Sequence, residues 1–247
     1  MARSAELEIC DVRDAKLAAS SLTLPSGVVH VWQRQLSATA EELEEWYGLL
    51  SSEEREKSAR YRVERPRCDF ILTRSTARSL IGRYLGRAPR DLSFRYTEFG
   101  KPFLEDSAGL RFNVSHTEGL AVMAFSKDHE VGIDVEKVRP QDDVKKLAKR
   151  FFSAHEVRAM QDLTGDELHC AFFRCWTRKE AYIKAKGEGL SLPLHEFDVS
   201  IEPNEMHALL ATRPDASEAS HWLLRDMPVS AGYVAAIAVG IESRSRT

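Results

Sequence analysis

The chain has 247 residues, 35 Lys+Arg against 38 Asp+Glu and a formal net charge of −3, with 43% hydrophobic residues; this excludes a disordered or fibrous chain and argues against a general nucleic-acid binder, while leaving room for a local basic patch. No run approaches the roughly 18–20 apolar residues that span a bilayer, and the opening MARSAELEICDVRD lacks a signal-peptide core. Four cysteines without a CxxC pair add the expectation of reduced thiols in a cytoplasmic protein.

In chain order, VVHVWQRQL (28–36) predicts a strand and ATAEELEEWYGLL (38–50) an amphipathic helix with Leu43, Trp46, Tyr47 and Leu50 on one face. SSEEREKSARYRVE opens a helix at Ser51, with Glu54 in capping-box spacing, and a further helix is predicted over 67–85, ending near Gly86. LSFRYTEFGKPFL reads as a strand, a Gly100-Lys101-Pro102 turn and an extended continuation. RFNVSHTEGLAVMAFS reads as two strands joined through a Ser-His-Thr turn, and EVGIDVEKV as a further strand. Beyond Pro140, DDVKKLAKRFF and SAHEVRAMQDL are amphipathic, and ELHCAFFRCWTRKEAYIKAKG is a long helix ending at Gly187. LSLPLHEFDVSIE and YVAAIAVGI supply closing strands, a hinge is expected near 125–140, and no residue-level repeat is evident.

Five segments carry chemistry. In VGIDVEKV, Asp134 and Glu136 lie on one side of a strand. Such a pair is either two solvated acids on an edge strand or a holder for one hard divalent cation; the apolar flanks Val131, Ile133 and Val135 favour a strand entering the core. On the long helix Trp176, Glu180 and Lys184 recur at i, i+4 and i+8 with Lys179 beside them. That stripe reads equally as a surface ion pair and as a carboxylate with a phosphate clamp. Asn113–Thr117 offers a hydroxyl, an imidazole and backbone N–H groups as an anion cradle. Lys101 is set in a turn, and a basic run (Arg55, Lys57, Arg60, Arg62, Arg65, Arg67) is diluted by Glu53, Glu54, Glu56 and Glu64. The spacing of Cys170 and Cys175 does not suit zinc, and no Walker loop, GxGxxG, GxSxG or HExxH is present.

Taken in order, GKP, FNVSH, GIDVE, and FxxxWxxKEAxxK followed by GxGLSLP resemble the 4′-phosphopantetheinyl transferases, most closely the Sfp type that primes carrier proteins of nonribosomal peptide and polyketide synthases. The resemblance covers about residues 50–200. It implies an α+β (α/β) fold of two pseudo-symmetric halves, 1–125 and 126–247, in one compact monomer with the active site in the cleft between them. It further implies transfer of the 4′-phosphopantetheine arm of coenzyme A to a serine of an apo acyl or peptidyl carrier protein, releasing 3′,5′-ADP. Asp134, Glu136 and Glu180 would ligate Mg²⁺, with Mn²⁺ as a substitute. Glu180 is the candidate base, Lys184 the clamp on the transferring phosphoryl group, and Trp176 a residue shaping the cleft. Coenzyme A contacts are expected from Lys57 and Arg67, from Phe99, Gly100, Lys101 and Pro102, from Ser115 and His116, and from Lys179. The carrier is expected to dock near Phe151, Phe152 and the 155–170 segment, meeting Lys145, Lys146, Lys149 or Arg150. A magnesium-dependent pyrophosphohydrolase would need the same three carboxylates; a silent binding module would have lost one.

Overall fold

A computed structural model describes residues 6–11 and 21–241. The helices are α1 (Ala40–Tyr47), α2 (Ser52–Ala59), α3 (Glu64–Leu85), α4 (Val144–Phe151), α5 (Ala154–Ala159) and α6 (Gly165–Lys186). The strands are β1 (Glu6–Asp11), β2 (Val28–Gln35), β3 (Arg95–Tyr96), β4 (Pro102–Phe103), β5 (Arg111–Thr117), β6 (Leu120–Ser126), β7 (Val131–Lys137), β8 (Phe197–Val199), β9 (Leu209–Thr212), β10 (Trp222–Asp226) and β11 (Tyr233–Gly240).

Two sheets form the body, one in the order β1-β2-β6-β5 and one in the order β10-β11-β7. Both central strands, LAVMAFS and YVAAIAVG, read as unbroken apolar runs because each is covered on two faces. One parity of side chains packs sheet on sheet: Val29, Val31, Val122 and Ala124 meet Ile133, Val135, Ile237 and Val239. The other parity of the first sheet (Trp32, Met123, Phe125) packs on α3 through Leu72, Leu80 and Ile81. In the second sheet Leu224, Ala236 and Ala238 pack with α6 through Phe172, Phe173 and Tyr182. The layers are therefore helix, sheet, sheet, helix, an α+β architecture.

The chain repeats itself. Strand β2, three helices and the antiparallel pair β5–β6 are followed by strand β7, three helices and the antiparallel pair β10–β11, and the spatial orders β2-β6-β5 and β7-β11-β10 correspond. The same number of residues separates Glu64 from Gly165 at the helix starts, Arg78 from Lys179 inside them, and Gly86 from Gly187 at their left-handed C-caps. Each long helix is preceded by a short one opened by a Ser-x-x-Glu capping box, Ser51/Glu54 and Ser153/Glu156. Both box glutamates are buried and paired with the equivalent cation: Arg78 Nε lies 2.5 Å from Glu54 and Lys179 Nζ 2.7 Å from Glu156. Geometry thus reveals a repeat that residue identity does not.

Several expectations shift. The Ser-His-Thr segment is strand, not turn: β5 stays extended through Thr117, and the reversal falls at Glu118-Gly119, where Gly119 has φ +87°. The segment expected as a hinge holds β7. LSLPLHEFDVSIE holds two short 3-10 turns and irregular chain, with only Phe197–Val199 as strand, because its pairing with β9 is brief. The parallel partner β1 was not foreseen.

Candidate active site

Three elements meet where the halves join. In β7, Val131, Ile133 and Val135 face the other sheet, so Gly132, Asp134 and Glu136 face α6. Gly132 makes the approach close: a Cβ there would lie inside the Ala181 carbonyl oxygen and the Ala185 backbone nitrogen, and 2.8 Å from the Ala185 Cα. Glycine on the strand and alanines one turn apart on the helix let α6 press down, bringing Glu180 and Lys184 over the two acids.

The centre is a compact network. Lys184 Nζ donates to Asp134 Oδ1 at 2.6 Å and to Ser115 Oγ at 3.2 Å, and Ser115 Oγ donates to Asp134 Oδ1 at 2.7 Å. Thr117 Oγ1 donates to Glu136 Oε2 at 3.3 Å. Burial raises the Glu136 carboxyl above its ordinary range, and the neighbouring Asp134 charge adds to this. Burial also raises Glu180; Asp134 and Glu136 push the same way while Lys184 opposes. His116 stands exposed on β5, close enough to Lys184 and to the buried Asp69 of α3 to feel both charges.

Glu136 and Glu180, whose proton affinity burial and the Asp134 charge raise, share the site with Asp134 and a single cation, Lys184. Among the described residues no group of three or more acids, histidines or cysteines stands ready-made around a metal; the Lys184 ammonium lies on Asp134 Oδ1 instead. The second oxygen, Asp134 Oδ2, is buried without a hydrogen-bond partner. A buried acceptor left open beside two protonation-prone carboxylates suits a hard, oxygen-seeking divalent cation.

Comparison with known proteins bears on this arrangement directly. Residues 130–238 match the family described as the 4′-phosphopantetheinyl transferase superfamily, and residues 34–128 match the description "4'-phosphopantetheinyl transferase, N-terminal". The 4′-phosphopantetheinyl transferase HetI of a Nostoc species is 37% identical over 222 residues, 89% of this chain and 90% of that protein. The chain belongs to the 4′-phosphopantetheinyl transferase superfamily. The superfamily member Sfp of Bacillus subtilis is 35% identical over 161 residues, 65% of this chain and 70% of that protein. A putative 4′-phosphopantetheinyl transferase of Synechocystis is 35% identical over 188 residues, 75% of each chain.

Other expected contacts of this phosphopantetheinyl transferase stand apart from the network. Lys179 is fully buried: its ammonium donates to the carbonyls of Leu194 (2.6 Å) and Phe197 (2.7 Å) and pairs with Glu156. With its three protons committed, it has none for a phosphate, and the expected coenzyme A contact is corrected to a structural one. Lys179→Met would leave Glu156 buried without its cation and is expected to cost about 3–5 kcal/mol; equilibrium denaturation measures it, and wild-type stability would contradict the account.

Lys101 Nζ bridges the halves, 3.4 Å from the Val131 carbonyl and 3.3 Å from that of Ala185, and burial lowers its pKa. Phe99, half exposed, and Gly100, at φ +81°, form the tip of a hairpin closed by the Thr97 N–H to the Lys101 carbonyl at 2.9 Å, with Pro102 opening β4. Lys57 is exposed beside an open groove of about 580 Å³ lined also by Glu53, Glu56, Arg60 and Tyr61. Arg67 sits half-buried in the first turn of α3. Trp176 joins an aromatic cluster, its ring 6.2 Å from Phe172 and 5.8 Å from Phe151.

Proposed function

We propose that the chain transfers the 4′-phosphopantetheine arm of coenzyme A to a serine hydroxyl of an apo carrier protein, in a Mg²⁺-dependent reaction that releases 3′,5′-ADP. The observation that carries the reading is the buried, unpartnered Asp134 Oδ2 beside Glu136, Glu180 and Lys184. The serine oxygen attacks the β-phosphorus of coenzyme A; the bond from that phosphorus to the bridging oxygen breaks, and 3′,5′-ADP departs with its electron pair. Such displacement asks for positioning and charge neutralisation more than for covalent chemistry. Asp134, Glu136 and Glu180 would hold Mg²⁺, which supplies positive charge to the pyrophosphate. Glu180, its proton affinity raised by burial, takes the serine proton. Lys184, partly exposed at the site, meets the charge growing on the transferring group. Ser115 and His116, with the hairpin around Gly100, supply further contacts for coenzyme A. The carrier meets α4, whose outer face presents Lys145, Lys146, Lys149 and Arg150 beside a half-buried Phe151; Phe152 is buried and belongs to the core.

Intact mass measurement of an apo carrier protein incubated with this protein, coenzyme A and Mg²⁺ tests the proposal. The carrier is expected to gain one phosphopantetheine arm, and EDTA to abolish the gain. Consumption of coenzyme A with free phosphopantetheine and an unmodified carrier would overturn it in favour of hydrolysis.

A further inference from the structure

Strand β5 ends the first sheet and β7 ends the second, and no backbone ladder joins them. The N–H groups of β7 that look toward β5 still need acceptors, and for Ile133 and Lys137 side chains provide them. Asn113, buried, accepts the Ile133 N–H through Oδ1 at 2.9 Å, and Thr117 accepts the Lys137 N–H through Oγ1 at 3.4 Å. Between them Ser115 donates to Asp134. In Asn113-Val114-Ser115-His116-Thr117, alternate residues thus form one polar stripe against β7.

We infer that Asn113 and Thr117 are positioning residues for phosphopantetheine transfer: side chains of the first half that bracket the Asp134-Val135-Glu136 segment of the second half and set its carboxylates. Ile133 directly precedes that segment and Lys137 directly follows it, so the two bonds fix β7 at both ends. Thr117 also acts on a carboxylate itself, because its hydroxyl donates to Glu136 Oε2 while its oxygen holds the Lys137 N–H. Orientation of a ligating carboxylate by a hydrogen bond of this kind typically governs metal affinity. The inference rests on the reading of Asp134, Glu136 and Glu180 as metal ligands.

The test uses the full chain with Thr117→Val, which keeps the volume and removes the hydroxyl, Thr117→Ser, which restores it, and Asn113→Leu. Mn²⁺ binding in the presence of coenzyme A is read from loss of the free-ion electron paramagnetic resonance signal, alongside kcat, KM for coenzyme A and Tm. Thr117→Val is expected to weaken Mn²⁺ binding about tenfold and to lower kcat more than it raises KM, with Thr117→Ser recovering most of the loss. Asn113→Leu is expected to act in the same direction and to lower Tm; should it fail to fold, the Thr117 pair decides. Mn²⁺ binding by Thr117→Val as tight as by the wild type would overturn the inference and leave the metal reading standing. A wild type that binds no Mn²⁺ and transfers in EDTA would overturn both.

Discussion

Gly132→Ala is expected to destabilise the fold by about 3 kcal/mol or more, lowering Tm by roughly 6–12 °C in a chain of this size. The added methyl group meets backbone rather than a flexible side chain, namely the Ala181 carbonyl and the Ala185 nitrogen and Cα. Neither can swing away, so α6 must lift from β7. Lifting has a second consequence, because Glu180 and Lys184 ride on α6 while Asp134 and Glu136 ride on β7. Transfer activity per folded molecule should therefore fall as well, at temperatures below the transition. Thermal unfolding and transfer rate are the two measurements. A variant with wild-type Tm would show that the helix and strand do not need the contact drawn between them.

The residue types of the site were legible in the sequence because strand and helix periodicities are short-range properties. Asp134 and Glu136 two apart, and Glu180 and Lys184 four apart, had to share faces once β7 and α6 formed. That the two faces oppose each other depends on Gly132, which lies between Val131 and Ile133 and whose closeness to α6 only the packing shows. Lys179 was misplaced for an identifiable reason. It was read beside the Trp176–Glu180–Lys184 stripe, yet Leu168, Phe172, Cys175 and Tyr182 define a second stripe at helical spacing, all buried, and Lys179 belongs to it. A cation inside an apolar stripe needs a buried acid, and the Ser153/Glu156 capping box was available to supply one.

The repeat escaped because its two copies share positions rather than letters. Arg78 and Lys179 are both cations on a buried box glutamate, and Gly86 and Gly187 both end their helices, but little between them matches. Asn113–Thr117 reads as an anion cradle in the sequence, and its bonds to β7 stayed hidden for a different reason. A polar stripe on one strand has no meaning until the partner strand is known, and β7 pairs with β11, not with β5. Their role is non-local, set by the packing of two sheets.

Asp134→Asn is expected to cut transfer by at least about a hundredfold while leaving the chain folded. The substitution keeps volume and keeps one oxygen, so the Ser115 hydroxyl can still donate. What it removes is the charge that three observations converge on. Asp134 Oδ1 pairs with Lys184 at 2.6 Å, its Oδ2 is buried and open, and its charge raises both Glu136 and Glu180. With its oxygen kept toward Lys184 and Ser115, the variant turns an amide N–H₂ donor into the open position; turned the other way, the amide meets the Lys184 ammonium with N–H₂ and offers the open position only an uncharged oxygen. The half-exposed Lys184 can turn to water, so the unpaired ammonium costs stability only modestly. The loss should appear as a raised Mg²⁺ requirement as well as a lower kcat, whereas a coenzyme A contact alone would show in KM. Transfer measured across a Mg²⁺ titration separates these, and turnover retained at ordinary Mg²⁺ would remove Asp134 from the set of metal ligands. The same titration bears on Glu136 and Glu180. If Asp134 holds the cation with them, its loss returns both carboxylates toward their ordinary proton affinity and leaves two acids that still carry charge but can no longer place it.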